Sequence, residues 1–314
     1  MKFDKSKRDF FKFSLGATGC VALLNPKDFL ARNLLAPIQE STKPLLAVVQ
    51  GETEKAVEKA LEILGGMENF IQSGQTVLLK PNASFPNPPH WGSNTNPELV
   101  KAVALHALKV GASRVFVADN TMREGMESFN RSGLTEVLAD VQRVKVLPIQ
   151  EESLFTEVMV PNGKALKTVK IAKLLQKVDV LINLPCAKSH SATDVSFGLK
   201  NNMGVIWNRN FFHTGTNLHE AIAELATVIR PHLTILDATR ALVTGGPTGP
   251  GKVQELNTVI AGMDPLAVDA YATTLVNWNN RSLKPKMIKH LLSASRLGVG
   301  EIELENIHIQ KIVL

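Results

Sequence analysis

Lysine, histidine and aspartate side chains recur at the ends of apolar, strand-like runs in this sequence. Lys80 closes the run TVLLK and Asn82 follows it, Asp119 closes the run SRVFVAD, and Lys188 and His190 follow a third apolar run. Ligands of open α/β sheets bind outside the carboxyl ends of the parallel strands. We therefore expect these side chains to line a single polar crevice.

The candidate catalytic residues are His190, Lys188 and Asp119. An unperturbed histidine titrates near neutral pH, so His190 can act as an acid, a base or a metal ligand, the last together with Asp119. Lys188 and His190 are two residues apart, and their side chains share one direction if the segment is extended. We place both in a loop, with a purely structural surface loop as the alternative. The identity of any metal is not predicted.

The candidate ligand-binding residues follow the same strand ends, and three lysines fall in them. They are Lys80, Asn82, Lys200, Asn201, Asp237 and Asp264. Local positive charge in a nearly neutral domain is typical of a focused anion site. The alternative remains open that Asp119, Asp237 and Asp264 pair with the lysines internally. Asp264 also has the sequence context of a helix N-cap before Pro265.

Two classes of cofactor site are not expected. The chain has two cysteines, Cys20 and Cys186, without a CxxC pair, so one chain offers no ligand set for an iron–sulfur cluster. Residues 246–252 satisfy G-x-x-x-x-G-K, but Val253 stands where a nucleotide-binding phosphate loop needs Ser or Thr. The sequence therefore predicts no Walker-type nucleotide site, although a Gly/Pro loop that covers a ligand remains compatible with it.

The first 36 residues carry most of the surplus positive charge. They hold seven Lys or Arg and three acidic residues, so the formal net charge of +6 falls to +2 in the remainder, with 28 basic and 26 acidic residues. The remainder shows no basic stripe interleaved with aromatic residues. Nucleic acid is therefore not an expected partner.

The same 36 residues have the features of an export leader. Residues 6–12, SKRDFFK, resemble the twin-arginine signature, with Lys7 in place of an arginine, and a short apolar stretch at 13–24 follows. We expect recognition by the twin-arginine export machinery and a periplasmic or cell-envelope location. An amphipathic helix of a cytoplasmic protein is the alternative, and neither the cleavage site nor lipidation at Cys20 is fixed by the sequence.

Apolar runs alternate with helical patterns along residues 37–314. The helix predicted at 97–110 has Asn96 as its N-cap and Pro97 at its first position. This alternation predicts an α/β fold with a mainly parallel sheet covered by helices. The Asn162-Gly163 pair predicts a hairpin turn, and a boundary between two lobes would fall near 150–165.

Seven segments resemble, in order, the motif series of the family DUF362. They are LLKPN (78–82), NPELVKAV (96–103), VADN (117–120), NLPCAKSH (183–190), GLKNNMG (198–204), LDATRALVTGGPTGPG (236–251) and VIAGMDPLAVDAYA (259–272). The resemblance covers most of residues 76–278 and implies an α/β domain without naming a reaction. The ferredoxin-like segment of some members does not occur in this sequence, so no iron–sulfur role carries over. A remote similarity to the lactate racemase fold implies a two-lobed α/β architecture.

Together these features predict an exported protein that binds a small anionic ligand or cofactor in a polar crevice at the strand ends. Catalysis is compatible with the residues, but no reaction is named by them. The alternative is a non-catalytic ligand-binding protein of the cell envelope. An enzyme should bring His190 close to a carboxylate or a second lysine in a deep pocket, whereas a binding protein should show an open cleft without such a pair.

Overall fold

Ten of the twelve strands assemble into one large sheet in the computed structural model, which describes residues 43–314. The leader predicted for residues 1–36 lies outside the described residues. The strands are β1 (Leu45–Gln50), β2 (Thr76–Pro81), β3 (Arg114–Asp119), β4 (Val144–Pro148), β5 (Phe155–Met159), β6 (Thr168–Ala172), β7 (Val180–Leu184), β8 (Cys186–His190), β9 (Asp194–Ser196), β10 (Leu233–Leu242), β11 (Val253–Gly262) and β12 (His308–Val313).

The sheet has ten strands, and its main path runs β12-β1-β11-β10-β7-β2-β3-β4. All neighbours on this path are parallel except β11, which runs antiparallel to both β1 and β10. β8 pairs in parallel with β10, and β9 folds back on β8. The carboxyl ends of β2, β3, β7 and β10 therefore meet at one edge, which confirms a mainly parallel sheet.

Helices cover both faces of this sheet. They are α1 (Thr53–Ile63), α2 (Pro97–Lys109), α3 (Gly125–Arg131), α4 (Leu134–Leu138), α5 (Gly198–Asn201), α6 (Arg209–Thr214), α7 (Leu218–Val228), α8 (Pro265–Thr273) and α9 (Lys289–Arg296). On one face, Val77, Val115 and Ile182 share an apolar core with Val57 of α1 and Val103 of α2. The opposite face carries α5, α7 and α8. None of the helices within residues 43–314 has the length and apolarity needed to cross a bilayer.

The helix starts follow from local chemistry, and three expectations need correction. Asn96 caps α2 as predicted, since its side chain accepts a hydrogen bond from Glu98 N. The helical pattern of residues 127–141 predicts a single helix weakened by Gly133, but the structure has two short helices there, because Gly133 lies between them in the left-handed region at φ +80°. The segment at 188–190 is not a loop but part of strand β8.

The third correction concerns Asp264, which we expected at the same sheet edge as Lys80. Asp264 follows β11, and β11 is antiparallel to β10, so Thr234 at the start of β10 pairs with Gly262 at the end of β11. Asp264 therefore lies at the opposite edge of the sheet. There it caps α8 and also accepts a hydrogen bond from Glu301 N at 2.7 Å.

β5 and β6 form a separate antiparallel hairpin whose turn is held by one buried carboxylate. Glu224 of α7 accepts hydrogen bonds from the backbone amides of Lys164, Ala165 and Leu166 at 2.6, 3.0 and 2.7 Å. Glu224 is 4% exposed, so its buried carboxylate depends on these three amides as hydrogen-bond partners. The hairpin spans the lobe boundary predicted near 150–165, which stays a prediction.

Replacement of Glu224 should loosen this hairpin. We expect Glu224→Ala to lower the free energy of unfolding by about 3 kcal/mol, because three backbone amides of the turn lose a charged acceptor. Glu157→Ala, an exposed position on β5, is the control and should change it by less than about 0.5 kcal/mol. Chemical denaturation measures both values, and equal effects of the two variants would contradict the role assigned to Glu224.

Candidate functional site

A buried ion pair joins the ends of β2 and β3. Lys80 Nζ lies 2.9 Å from Asp119 Oδ1, and the two side chains are 1% and 0% exposed. The second carboxylate oxygen of Asp119 accepts a hydrogen bond from Ala83 N at 2.8 Å. Gly204 packs directly against the pair, since a Cβ at this position would lie 1.9 Å from Asp119 Oδ1. Glycine is therefore required where this chain segment crosses the ion pair.

Asn201 of α5 connects this pair to the neighbouring strands. Its Oδ1 accepts hydrogen bonds from Lys80 Nζ at 3.1 Å and from Asn82 Nδ2 at 3.0 Å. Its Nδ2 donates to Asn183 Oδ1 at 2.8 Å and to the Lys80 carbonyl at 3.2 Å. The amide thus uses its full hydrogen-bonding capacity. Lys80, Asn82, Asp119 and Asn201, which the sequence predicted separately, form one network.

Lys188 lies beside this network on β8. Its ammonium donates to Asn82 Oδ1 at 3.0 Å and to the carbonyl of Ser93, and it lies 5.2 Å from the centre of the Phe85 ring. Lys188 is 1% exposed, and burial lowers the pKa of its amine. No carboxylate within residues 43–314 forms a salt bridge with it. Its positive charge therefore has only neutral hydrogen-bond partners.

His190 follows Lys188 on the same face of β8, as an extended segment requires. Its Nδ1 accepts a hydrogen bond from Ala192 N at 3.0 Å, which places the proton of a neutral ring on Nε2. Burial, then the charges of Lys200 and Lys188, lower the pKa of His190 to about 2. At neutral pH the ring is uncharged and presents an N–H donor. The charges of Lys188 and Lys200 act on His190, but the deep pocket that the sequence analysis expects of an enzyme is not established here.

Lys200 of α5 is the buried lysine with the fewest partners. It is 9% exposed, and the contact given for its ammonium is the sulfur of Met203, with Nζ and Sδ 3.7 Å apart. Burial, followed by the positive charges of Lys188 and Arg209, lowers the pKa of the Lys200 amine to about 7. No carboxylate of the described chain pairs with it. Lys200 is therefore a buried amine in a positive environment.

Four histidines from four different elements act electrostatically with Lys200. They are His190 of β8, His213 of α6, His219 of α7 and His290 of α9. The rings of His190 and His213 stack with centroids 6.4 Å apart, and those of His219 and His290 with centroids 6.1 Å apart. Burial lowers the pKa of His290 to about 3, and both its ring nitrogens are buried without a hydrogen-bond partner. His190 and His290 are therefore neutral at pH 7, and His219 Nδ1 is a further buried ring nitrogen without a partner.

Residues 205–214 supply a further cation, Arg209, whose charge acts on Lys200. Arg209 donates hydrogen bonds to the carbonyls of Asn120 and Thr121, which anchors α6 to the end of β3. Asn120 in turn donates from Nδ2 to the Ile206 carbonyl at 2.7 Å. His213 on the same helix is exposed. The cluster therefore reaches solvent on the side of α6.

The remaining buried aspartates serve the backbone. Asp237 accepts hydrogen bonds from Asn96 N at 2.7 Å and from Thr239 N and Oγ1 at 2.9 and 2.6 Å, which fixes the start of α2. Asp269 accepts from Gly198 N and Leu199 N at 2.7 and 2.9 Å, which fixes α5, and burial raises its pKa to about 7.

Neither these aspartates nor Asp264 pairs with a lysine in the described part of the chain. The expectation of internal pairing is met only between Lys80 and Asp119. In the same part of the chain, no three His, Cys, Asp or Glu side chains lie together as a metal site requires.

Sequence reasoning missed four members of the cluster: Arg209, His213, His219 and His290. The first three follow the GLKNNMG motif within 20 residues, but they lie on helices that carry no recognisable motif. His290 follows the motif at 259–272 by 18 residues and also lies on a helix without a motif of its own. The available signal was a histidine on a helix, and such a pattern does not indicate which site the ring joins.

Removal of the Asp119 charge should leave the buried ammonium of Lys80 without its carboxylate partner. We expect Asp119→Asn to lower the free energy of unfolding by about 3–5 kcal/mol. Glu52→Gln, which breaks the exposed Lys55–Glu52 pair with N and O atoms 3.2 Å apart, should cost less than about 0.5 kcal/mol. In the double variant Lys80→Met/Asp119→Asn, the loss should be about 2 kcal/mol smaller than the sum of the single losses. Strict additivity in denaturant titrations would argue against the pair.

Comparison with known proteins places the chain in a family. The model described as Domain of unknown function (DUF362) matches residues 77–274, well over half of the chain. The thylakoid-associated protein sll1697 of Synechocystis sp. (strain ATCC 27184 / PCC 6803 / Kazusa) is 28% identical over 263 residues, which cover 81% of this chain and 78% of the relative.

A solved structure is remotely similar. The lactate racemase apoprotein from Thermoanaerobacterium thermosaccharolyticum matches with a TM-score of 0.42 and 16% identity. The match covers 71% of this chain and 54% of that chain, so this protein spans about half the length of the racemase. The family match includes Lys80, Asp119, Lys188 and Lys200 in a single span. The chain therefore belongs to the DUF362 family.

Proposed function

We propose that this protein binds a small anionic ligand at the cationic cluster, defined as Lys188, Lys200 and Arg209. The observation that carries the proposal is Lys200, a buried ammonium that contacts a thioether and no carboxylate of the described chain. A buried charge without a partner is costly, by several kcal/mol even after relaxation. A bound anion would offset that cost.

Asp119 is the carboxylate of the described chain whose charge acts on Lys188 and Arg209, and no acid acts on Lys200. Asp119 is engaged by Lys80 at 2.9 Å, and the carboxylates of Asp237 and Asp269 accept backbone hydrogen bonds. The net local charge is therefore positive when Lys200 is protonated. This favours a ligand with carboxylate or phosphate groups over a neutral one.

The neutral ring of His190 would give the ligand orientation rather than charge. His190 presents an Nε2–H donor, and His213 lies beside it in a stacked arrangement at 6.4 Å. Donors of fixed direction in a partly dry site recognise particular oxygen atoms of a ligand. The closeness of His190 to two lysines favours a site that can also perform chemistry over a purely binding role.

We also propose that the folded protein is exported by the twin-arginine machinery and works in the cell envelope. The support is the SKRDFFK run at residues 6–12 and the surplus of positive charge in the first 36 residues. The Synechocystis relative is named a thylakoid-associated protein, which is compatible with a location outside the cytoplasm. The non-catalytic envelope binding protein is the second candidate for the same location.

Anions should stabilise the protein through Lys200. At 100 times the dissociation constant, phosphate or a dicarboxylate should raise the melting temperature by about 5 °C. Lys200→Met should abolish this gain and should itself stabilise the free protein at pH 6.5, because it removes an unpaired buried charge. Lys55→Met, on the exposed face of α1, is the control and should keep the full gain.

Thermal-shift assays of the wild type and the two variants across an anion panel test this prediction. Lys188→Ala is a less clean probe, because it also leaves Asn82 and Ser93 without a donor. A full anion response in Lys200→Met would overturn the proposed site.

The same site should bind anions less tightly at alkaline pH. Lys200 has a folded-state pKa near 7, below its unfolded value, so the folded protein holds fewer protons than the unfolded chain between pH 7 and about 10. Stability of the free protein should therefore rise over this range, and anion affinity should fall by about tenfold per pH unit. Calorimetry at pH 6, 7, 8 and 9 tests the direction of the change in stability and of the change in anion affinity. Lys200→Met should remove most of the pH dependence of both quantities.

Export should depend on the basic pair in the leader. Substitution of Lys7 and Arg8 by Gln removes the charges that resemble the twin-arginine signature, and we expect the variant to remain in the cytoplasm. Substitution of Lys2 and Lys5 by Gln, which removes the same charge outside the signature, is the control. Cell fractionation measures the distribution, and unchanged export of the first variant would contradict the route.

A further inference from the structure

We propose that Lys200 is a nucleophile that forms an imine with the carbonyl group of an anionic 2-oxo compound held by Lys188 and Arg209. This inference rests on the proposed anion site and deepens it, because it names a substrate class and a covalent step. The step adds a function to a lysine that would otherwise act only as a counter-charge.

The geometry separates Lys200 from the two other buried lysines. The ammonium of Lys80 has three oxygen partners, from Asp119, Pro81 and Asn201. The ammonium of Lys188 has two oxygen partners and an aromatic ring. Both are held in place by acceptors that favour the protonated form.

Lys200 is different, since its contact is a thioether sulfur at 3.7 Å, which is a weak acceptor. Its nitrogen is therefore the one in this trio that is free to carry a lone pair towards a ligand.

The surroundings of Lys200 favour the neutral amine. Desolvation and neighbouring cations are the two arrangements known to activate a lysine nucleophile, and both occur here. The charged and titratable groups that act on it are Lys188 and His190 from β8, Arg209 and His213 from α6, His219 from α7 and His290 from α9. None of them is an acid.

The expected reactivity follows from the pKa of about 7. At pH 7.5 the neutral fraction of such an amine exceeds that of an ordinary lysine by roughly 600-fold. Lys200 should therefore react with a carbonyl compound far more readily than a surface lysine does at the same pH.

The cations define what the carbonyl compound must carry. A carboxylate or phosphate bound by Lys188 and Arg209 brings an adjacent carbonyl carbon towards the nitrogen of Lys200. The nitrogen lone pair forms the new C–N bond while the C=O π electrons move to oxygen. Both amine protons then leave with that oxygen as water, so the products are an imine and one water molecule. The unpartnered nitrogens of His290 are acceptors and donors available beside this step.

Reductive trapping tests the inference directly. The full chain is incubated at pH 7.5 with pyruvate and sodium cyanoborohydride, which reduces an imine to a stable secondary amine, and is then digested and analysed by mass spectrometry. We expect one reduced adduct on Lys200 at a yield at least tenfold above that of exposed lysines such as Lys55. Acetone, a carbonyl compound without an anionic group, should give little adduct on Lys200.

Two variants separate this inference from the anion site itself. Lys200→Arg keeps the positive charge, so it should retain phosphate binding but give no adduct on any buried residue. Arg209→Gln should lower the pyruvate adduct on Lys200 while leaving the chain folded, as judged by its circular dichroism. Phosphate binding by the wild type without any adduct on Lys200 would overturn the imine and leave the anion site standing. Absence of both phosphate binding and adduct would overturn the two together.

Discussion

Burial of positive charge is the constraint on which the rest of the site depends. Lys80, Lys188 and Lys200 are each at most 9% exposed, and one carboxylate, Asp119, pairs with one of them. The amide of Asn201 and the glycine at 204 are the residue types that allow this packing, since one supplies acceptors and the other supplies space. Asp119 also acts electrostatically on Lys188 and Arg209, whereas no acid of the described chain acts on Lys200. This imbalance at Lys200 is the basis of the proposed preference for anions.

The sheet brings these groups together by a change of strand partner. β10 first pairs with β7, at Thr234 and Asn183, and then with β8, at Asp237 and Cys186. The chain passes between β7 and β8 through Pro185, whose nitrogen cannot donate to a ladder. β8 thereby lies beyond the carboxyl end of β7 and carries Lys188 and His190 over the ends of β2 and β3. The location agrees with the general rule for ligands in parallel sheets.

Much of the fold was predictable from local pattern, whereas the complete site was not. The strands of the parallel core and the Asn96 cap follow from apolar runs and turn chemistry, and these predictions are confirmed. The position of Asp264 was predicted wrongly although the sequence held the signal. No helical pattern lies between β10 and β11, and strands joined without a crossover must be antiparallel. His213, His219 and His290 were missed because only tertiary packing determines which helix faces Lys200.

Lys80 and Lys200 are both buried, but their hydrogen-bond partners indicate different roles for the two lysines. Lys80 has a carboxylate and two further oxygens, so its replacement removes interactions on which the sheet edge depends. Lys200 is as deeply placed but lacks such partners, and a neutral side chain of similar length would pack there at lower cost. Departures of this kind from local consistency are expected where a protein keeps a group for its chemistry rather than for its stability. The unpaired amine is therefore the feature of this site that stability alone does not explain, and the proposed anion would supply the partner that it lacks.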